Sequence, residues 1–472
     1  MLGALAGSVG VRTIVTDSGL IEPWLHDWRG RYHGASPVLL QPETTAEVAA
    51  IVIAAVAHRV ALVPQGGNTS MVGGATPPAD GSAMIVSLRR LNRIRSVDTE
   101  AGLAIAEAGV ILSDLHDAAV ARGRRFPLTL GARGSATIGG LVSTNAGGTQ
   151  VLRHGTMRGL VAGIEAVLPD GSVHDGLAAL KKDNRGYDLK ELLIGAEGTL
   201  GIVTAATLRL VPAIIERAVA WVGVADPAAA LRLLRMMEAR TAAIESFELL
   251  PHGSLAAVLA HLPYARAPLV GEHPWHVLIE AVAEEPSDQV PGELLAALLG
   301  GALDAGLVTD VTIAASEAQA EAFWTLRDAI SAAERARGPA TQHDISVPVD
   351  AMPAFLIAAA AACEARFPGT RASGFGHLGD GNVHFHVRAP SGALPERWYA
   401  EEAPAATRFV HDLVVAAGGS ISAEHGIGQM KRDELARLSS PARMAALAGI
   451  KRGLDPLGLF NPGKLIVPPA GP

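Results

Sequence analysis

Small apolar residues recur at helical spacing from Glu43 to Arg59, behind the start signal Thr44-Thr45, and predict a helix. Val60 to Val63 then reads as a short strand that runs into Gly66-Gly67. Further strand-like runs lie at Ala83 to Leu88, Gly102 to Ala108 and Gly163 to Leu168, the last closed by the turn Pro169-Asp170-Gly171. These elements predict a mixed α/β domain over residues 1–212. After Val211-Pro212 the texture changes to Ala/Leu-rich helical stretches, Pro227 to Thr241, Pro291 to Ala305 and Glu317 to Arg337, alternating with strands such as Trp275 to Val282. Asp226 suits an N-cap and Pro227 the first helical position. A second domain is therefore expected over 213–420, followed by a C-terminal segment, 421–472. Within that segment Lys451 to Val467 is too turn-rich to predict a helix.

At 472 residues and 49% hydrophobic content the chain can bury cores for more than one domain. Its 39 Lys plus Arg are outweighed by 47 Asp plus Glu, with no basic stripe, which argues against a nucleic-acid partner. One cysteine, Cys363, excludes an internal disulfide framework, a four-cysteine zinc site and a cysteine-ligated iron–sulfur cluster within the chain. No apolar run reaches the ~20 residues a spanning helix needs, and no basic region precedes the apolar N-terminus, so a soluble cytoplasmic protein is expected.

Three glycine-rich stretches stand out. Pro64 to Gly74 follows a strand and can turn several N–H groups toward one anion, although an ordinary glycine turn would look the same. Leu130 to Gly148 intersperses glycines with hydroxyl and amide side chains, a lining for a long polar ligand, and Gly195 to Ile202 closes the same domain. None ends in Gly-Lys-Ser/Thr, so nucleotide hydrolysis is disfavoured. The single G-x-G-x-x-G, Gly374 to Gly379, leads into a strand-like alternation from Asn382 to Val387 where a dinucleotide fingerprint demands a helix.

The same stretch carries the densest polar chemistry of the chain. His377, His384 and His386 fall within ten residues and Glu424-His425 follows. Neutral imidazoles and a carboxylate suit a divalent ion, with one histidine over for proton transfer, and His384 and His386, two apart, face one side of a strand. His377 is expected to enter from the preceding glycine turn. His154 and His343 read as structural histidines, and Asp380 and Asn382 equally as turn residues or as supports for the ligands.

Together these motifs, from about Leu39 to Leu465, resemble the vanillyl-alcohol oxidase flavoproteins, and within them the branch of D-2-hydroxyglutarate and FAD-dependent D-lactate dehydrogenases. Lys182 to Lys190 and the Phe-Asn-Pro-Gly-Lys terminus are further carriers of the likeness. The resemblance implies an α+β architecture, with a two-part FAD-binding domain, a substrate or cap domain built on an antiparallel sheet, and a small C-terminal segment that completes the active site and contacts FAD. It places FAD against Pro64, Gln65, Gly66, Gly67, Asn68, Thr69, Met71, Gly73 and Gly74 in the first loop. In the second stretch it marks Leu130, Gly131, Gly134, Ser135, Ile138, Gly139, Gly140, Ser143, Thr144, Asn145 and Gly148. Glu197, Gly198, Gly201, Ile202 and Asn461 complete the set. Asn68 stands where tethering relatives carry a histidine, so non-covalent FAD is implied.

For the chemistry the resemblance implies His377, His384 and Glu424 as ligands of a divalent metal, zinc first and manganese second, and His425 as general base. Arg327, with Ser331 one turn along the same helix, would hold the substrate carboxylate. Gln342 stands where D-2-hydroxyglutarate dehydrogenases carry a Lys, and His386 where the family usually has Asn, so both alter the substrate pocket. The expected activity is oxidation of a D-2-hydroxy acid (D-2-hydroxyglutarate, D-lactate or a related acid) to the 2-oxo acid, with hydride passing to flavin N5. Electrons would leave to an electron-transfer flavoprotein, a quinone or a cytochrome, and a homodimer is the expected assembly. The alternatives are an oxidase that uses oxygen and a non-catalytic metal-binding scaffold.

Overall fold

The structure, a computed structural model, describes residues 1–5 and 7–466. It divides into a unit of residues 1–148, 154–213 and the segment from 424 onward, and a second of residues 149–153 and 214–423. The short return at 149–153 has no signature in the sequence.

The first unit holds two main sheets. One has four strands in the order Ile14–Val15, Leu39–Leu40, Ala83–Ser87, Ala61–Gln65, with the last three parallel. Thr44 starts the crossover helix Thr45–His58 by accepting from the Glu47 amide, and Arg59 ends it in the left-handed region. That helix buries Val48, Ile51, Val52 and Ala55 against Leu40, Leu62, Val86 and Phe460. The other is a five-stranded antiparallel sheet in the order Ile94–Asp98, Leu103–Glu107, Ile202–Arg209, Val161–Val167, Val173–Gly176.

The second glycine-rich stretch differs from its expected loop form. Residues Ile138–Thr144 form a helix, because Ile138, Leu141 and Val142 share one side and bury it in the core. Gly139 permits the close approach, since a Cβ there would stand 2.6 Å from that of Ala108. The turn-rich terminus also differs. The helix Pro441–Leu454 takes in Lys451 to Leu454, where the buried Lys451 ammonium reaches the Asp455 carboxylate at 2.6 Å and two main-chain carbonyls. Val467, the last residue of the stretch expected to be helix-free, lies outside the described residues.

The second unit is a seven-stranded antiparallel sheet in the order Asp310–Ile313, Glu216–Val224, Trp275–Ala283, Ile244–Pro251, Arg371–His377, Asn382–Arg388, Ala340–Ser346. Alternation sorts its side chains. One face presents Val222, Phe247, Leu249, Ile279, Val383 and Phe385 to a large apolar core. The opposite face carries Trp221, Leu250, Leu278 and Phe375, which share a second apolar cluster with Phe323, Leu326 and Ile330. The polar residues Glu248, His377, His384, His386, Asp344 and Gln342 alternate with the first core and fall on that second face. The stretch Glu317 to Arg337, expected as one helix, is two, Glu317–Asp328 and Ile330–Ala336, separated at Ala329, where the chain tightens and caps the first. Among the described residues no helix is long and apolar enough to cross a membrane.

Candidate active site

In the first unit the glycines bring two loops into backbone contact. A Cβ on Gly67 would stand 1.9 Å from the Ser135 carbonyl oxygen, and one on Gly66 2.2 Å from Thr137 Oγ1. The chain then passes through Asn68 at φ 55, whose amide donates to the His26 carbonyl at 2.8 Å. Gln65 Nε2 donates to Trp24 and Ala75 carbonyls, and Asn461 Nδ2 to those of Gly74 and Glu197. Their other amide ends, Gln65 Oε1 and Asn461 Oδ1, are buried with no partner, as are Thr76 Oγ1 and Thr137 Oγ1. An orphaned buried polar atom costs roughly 1–3 kcal/mol. Four of them in this set of loops fit a polar ligand such as FAD, and Thr76 and Thr137 extend the set read from the sequence.

Other residues of that set support the cradle from behind. Ile138 and Ile202 belong to the cores. Thr144 Oγ1 donates to the Gly140 carbonyl at 3.0 Å, and Asn145 Oδ1 accepts from Thr156 Oγ1 and the Arg158 amide. Gly131, Gly134 and Ser135 are exposed.

Glu197 is a clamp. Buried, with φ 52, it accepts the Ile427 and Gly428 amides at 2.7 Å each through its two carboxylate oxygens. Burial pushes its pKa up against those two N–H groups, which favour the charged form. Beyond the clamp, Gln429 and Met430 donate their amides to the Val72 carbonyl of the first loop. Gly428 has to be glycine, with φ 53 and a Cβ that would lie 2.3 Å from Val72 O. The segment that carries Glu424 and His425 is thereby anchored to the first glycine loop.

In the second unit His377 ends the strand Arg371–His377, where a glycine turn was expected, and faces Glu248 across the sheet. Its Nδ1 lies 2.6 Å from Glu248 Oε1. Arg327 donates through Nε to Glu248 Oε2 at 2.8 Å, its Nη2 stands 3.3 Å from His377 Nε2, and its guanidinium lies over the Phe375 ring. Burial alone would raise the Glu248 pKa; the charges of Arg327 and His377 more than reverse that and hold it at about 2. Glu248 was missed in the sequence because a strand carboxylate with no motif around it gives no signal. Ser331, by contrast, is exposed on the helix after the break and shares no face with the buried Arg327.

Next to His377, Asp344 pairs in register with His384 and Gln342 with His386, so all four share the polar face. Asn382 donates to Asp344 Oδ1 at 3.0 Å and to the Ile345 carbonyl, and Asp380, its pKa raised by burial, accepts the Asn382 amide in the hairpin turn. His343 points to the other face, where its Nδ1 pairs with the Phe385 carbonyl at 2.9 Å; His154 Nε2 lies 3.4 Å from an Arg125 nitrogen. Within the second unit, ligand-capable atoms of His377 and His384 lie within 4.8 Å of one another. Two imidazoles and a carboxylate form a donor set suited to a first-row divalent ion. With Nδ1–H held by Glu248, the Nε2 lone pair of His377 meets Arg327 Nη2 at 3.3 Å, a contact that a metal on Nε2 would displace.

Comparison with known proteins identifies the family. Residues 36–176 match the family described as "FAD binding domain", and residues 215–465 that described as "FAD linked oxidases, C-terminal domain". The chain is 38% identical to mitochondrial D-2-hydroxyglutarate dehydrogenase of Arabidopsis thaliana over 97% of its own length and 80% of the relative's. It is 36% identical to D-2-hydroxyglutarate dehydrogenase of Xanthomonas citri pv. viticola, over 98% and 96% of the two chains. Among solved structures it superposes on p-cresol methylhydroxylase with a TM-score of 0.75 at 15% identity, covering 98% of this chain and 96% of that one, which shows a shared fold. The α+β architecture expected from the motifs is the one observed. The cytoplasmic expectation is overturned by relatives named as mitochondrial, since neither composition nor the absence of an apolar run encodes a compartment.

Proposed function

The chain belongs to the FAD-linked oxidase family of flavoproteins, and from that premise we propose that it oxidises a D-2-hydroxy acid, D-2-hydroxyglutarate first, to the 2-oxo acid. The observation that carries the reading is the pair His377 and His384, whose ligand-capable atoms lie within 4.8 Å, with Glu248 holding Nδ1 of His377; Glu424 is the carboxylate that the family likeness adds. When bound, FAD supplies a two-electron acceptor, and a divalent ion, zinc first and manganese second, supplies Lewis acidity at the hydroxyl.

The chain's own groups do the rest. His425, next to Glu424 in the chain, takes the hydroxyl proton as the 2-hydrogen leaves as hydride. Arg327 adds a buried positive charge that draws the substrate carboxylate, although one edge of its guanidinium already serves Glu248. Gln342 and His386, paired across two strands, set what the far end of the substrate meets. Electrons then leave through an electron-transfer flavoprotein, a quinone or a cytochrome.

The test is anaerobic bleaching of the flavin absorbance against a panel of D- and L-2-hydroxy acids, before and after chelation. Rapid bleaching by D-2-hydroxyglutarate, lost on chelation and restored by zinc or manganese, is expected. Bleaching that survives complete metal removal would refute the metal, and bleaching by none of the acids would refute the substrate class.

A further inference from the structure

A second group of ligand-type side chains sits in the first unit, outside the site described above. Glu22 begins a single 3₁₀ turn, Glu22–Trp24, and His26 follows four residues on. The chain then reverses and returns His33 directly opposite His26 in an antiparallel bridge. Buried Asp27 makes this reversal rigid, since its carboxylate accepts the Tyr32 amide at 2.6 Å and the Arg29 amide at 3.1 Å. Gly30, at φ 65, donates its amide to the Asp27 carbonyl. The two imidazoles stack with centroids 4.1 Å apart and planes 5° from parallel. Their Nε2 atoms converge on one oxygen, Glu22 Oε1, at 2.7 and 3.3 Å.

We propose that Glu22, His26 and His33 form a second, independent site for a first-row divalent transition ion, and that the ion braces the first flavin loop. Two imidazoles and one carboxylate select zinc, copper or nickel over magnesium and calcium, which prefer all-oxygen shells. The three donors lie within 4.8 Å of one another and are all exposed, so an ion reaches them from solvent and keeps open positions for water. The backbone is set before binding, because Asp27 and the bridge hold it on both sides, so the ordering that accompanies binding is confined to the side chains, with the two parallel rings turning out of their stack to direct both lone pairs at one ion.

The bracing follows from two main-chain carbonyls inside the same turn. Trp24 O accepts from Gln65 Nε2 at 3.1 Å, and His26 O from Asn68 Nδ2 at 2.8 Å. Gln65 and Asn68 begin the glycine loop, and Asn68 holds a left-handed conformation that its bond to His26 O supports. An ion on His26 and Glu22 fixes the segment that presents both carbonyls.

The experiment titrates chelator-treated holoenzyme with Zn²⁺ against a chromogenic competitor, in wild type, His26→Ala/His33→Ala and His384→Ala. Wild type is expected to bind one equivalent more than the double variant, and His384→Ala to keep that equivalent while losing a different one. Glu22→Gln should weaken the site about tenfold. Cu²⁺ loaded into His384→Ala should show nitrogen hyperfine structure from two imidazoles, and lose it in a triple variant that also lacks His26 and His33. Equal zinc stoichiometry in wild type and the double variant would overturn the site, and retained flavin colour verifies that the variants fold. Zn²⁺ should slow FAD release in wild type and not in the double variant; an equal effect in both, or none in wild type, would overturn the bracing.

Discussion

Glu248 Oε1 lies 2.6 Å from His377 Nδ1, and the other oxygen of the same carboxylate holds Arg327 at 2.7 Å. One buried acid thus sets the tautomer of a proposed metal ligand and neutralises a buried guanidinium. Glu248→Gln is expected to lower zinc affinity about 10–100-fold in a protein that still folds. Glu248→Ala should in addition cost about 3–5 kcal/mol of stability, because it leaves Arg327 buried without its carboxylate. Metal content after dialysis and denaturant unfolding read the two effects, and unchanged zinc affinity in the folded Gln variant would remove the orienting role.

His425 is assigned the hydroxyl proton. His425→Ala should slow anaerobic flavin reduction by roughly 10²–10⁴-fold, with flavin content unchanged. Stopped-flow absorbance checks this. Reduction within a few-fold of wild type would transfer the base to another group.

The cradle makes a steric prediction. Gly67→Ala pushes a methyl into the Ser135 carbonyl and should yield protein with little flavin, read as the ratio of visible to ultraviolet absorbance. Gly449→Ala, in a helix where a Cβ meets nothing within 4 Å, is the matched control and should retain its colour.

His276 gives the second unit an acid sensitivity. It is buried, accepts from Trp221 Nε1 at 3.2 Å, and has its pKa lowered from 6.5 to about 4 by burial and by the neighbouring His252 and His273. The neutral ring is favoured in the fold, while the unfolded chain takes up a proton near 6.5. Its contribution is therefore fully present above that pH and is lost as pH falls toward 4, a difference of about 3 kcal/mol. His276→Gln should flatten the stability profile across that window, measured by chemical denaturation. An unaltered slope would assign the acid sensitivity to other groups.

How much was legible in advance varies with the physics of each feature. The helix Thr45–His58 and the strand Trp275–Ala283 were readable because period and cap signals are local. The break at Ala329 was not, since no glycine or proline marks it. His377, His384, Glu424 and His425 could be picked out because their residue types cluster in sequence. Glu248 and Asp344 could not, because each acquires its role only from a partner on another strand.

The sequence alone determined the family, the glycine-rich stretches and the cluster of histidines, because these reside in residue types at short spacing. Tertiary structure decided that Glu197 is a clamp, that Arg327 shares its carboxylate with His377, and that His26 and His33 meet over Glu22. Strand register and chain reversal set those distances, and both depend on contacts between residues far apart in the chain that no local pattern encodes.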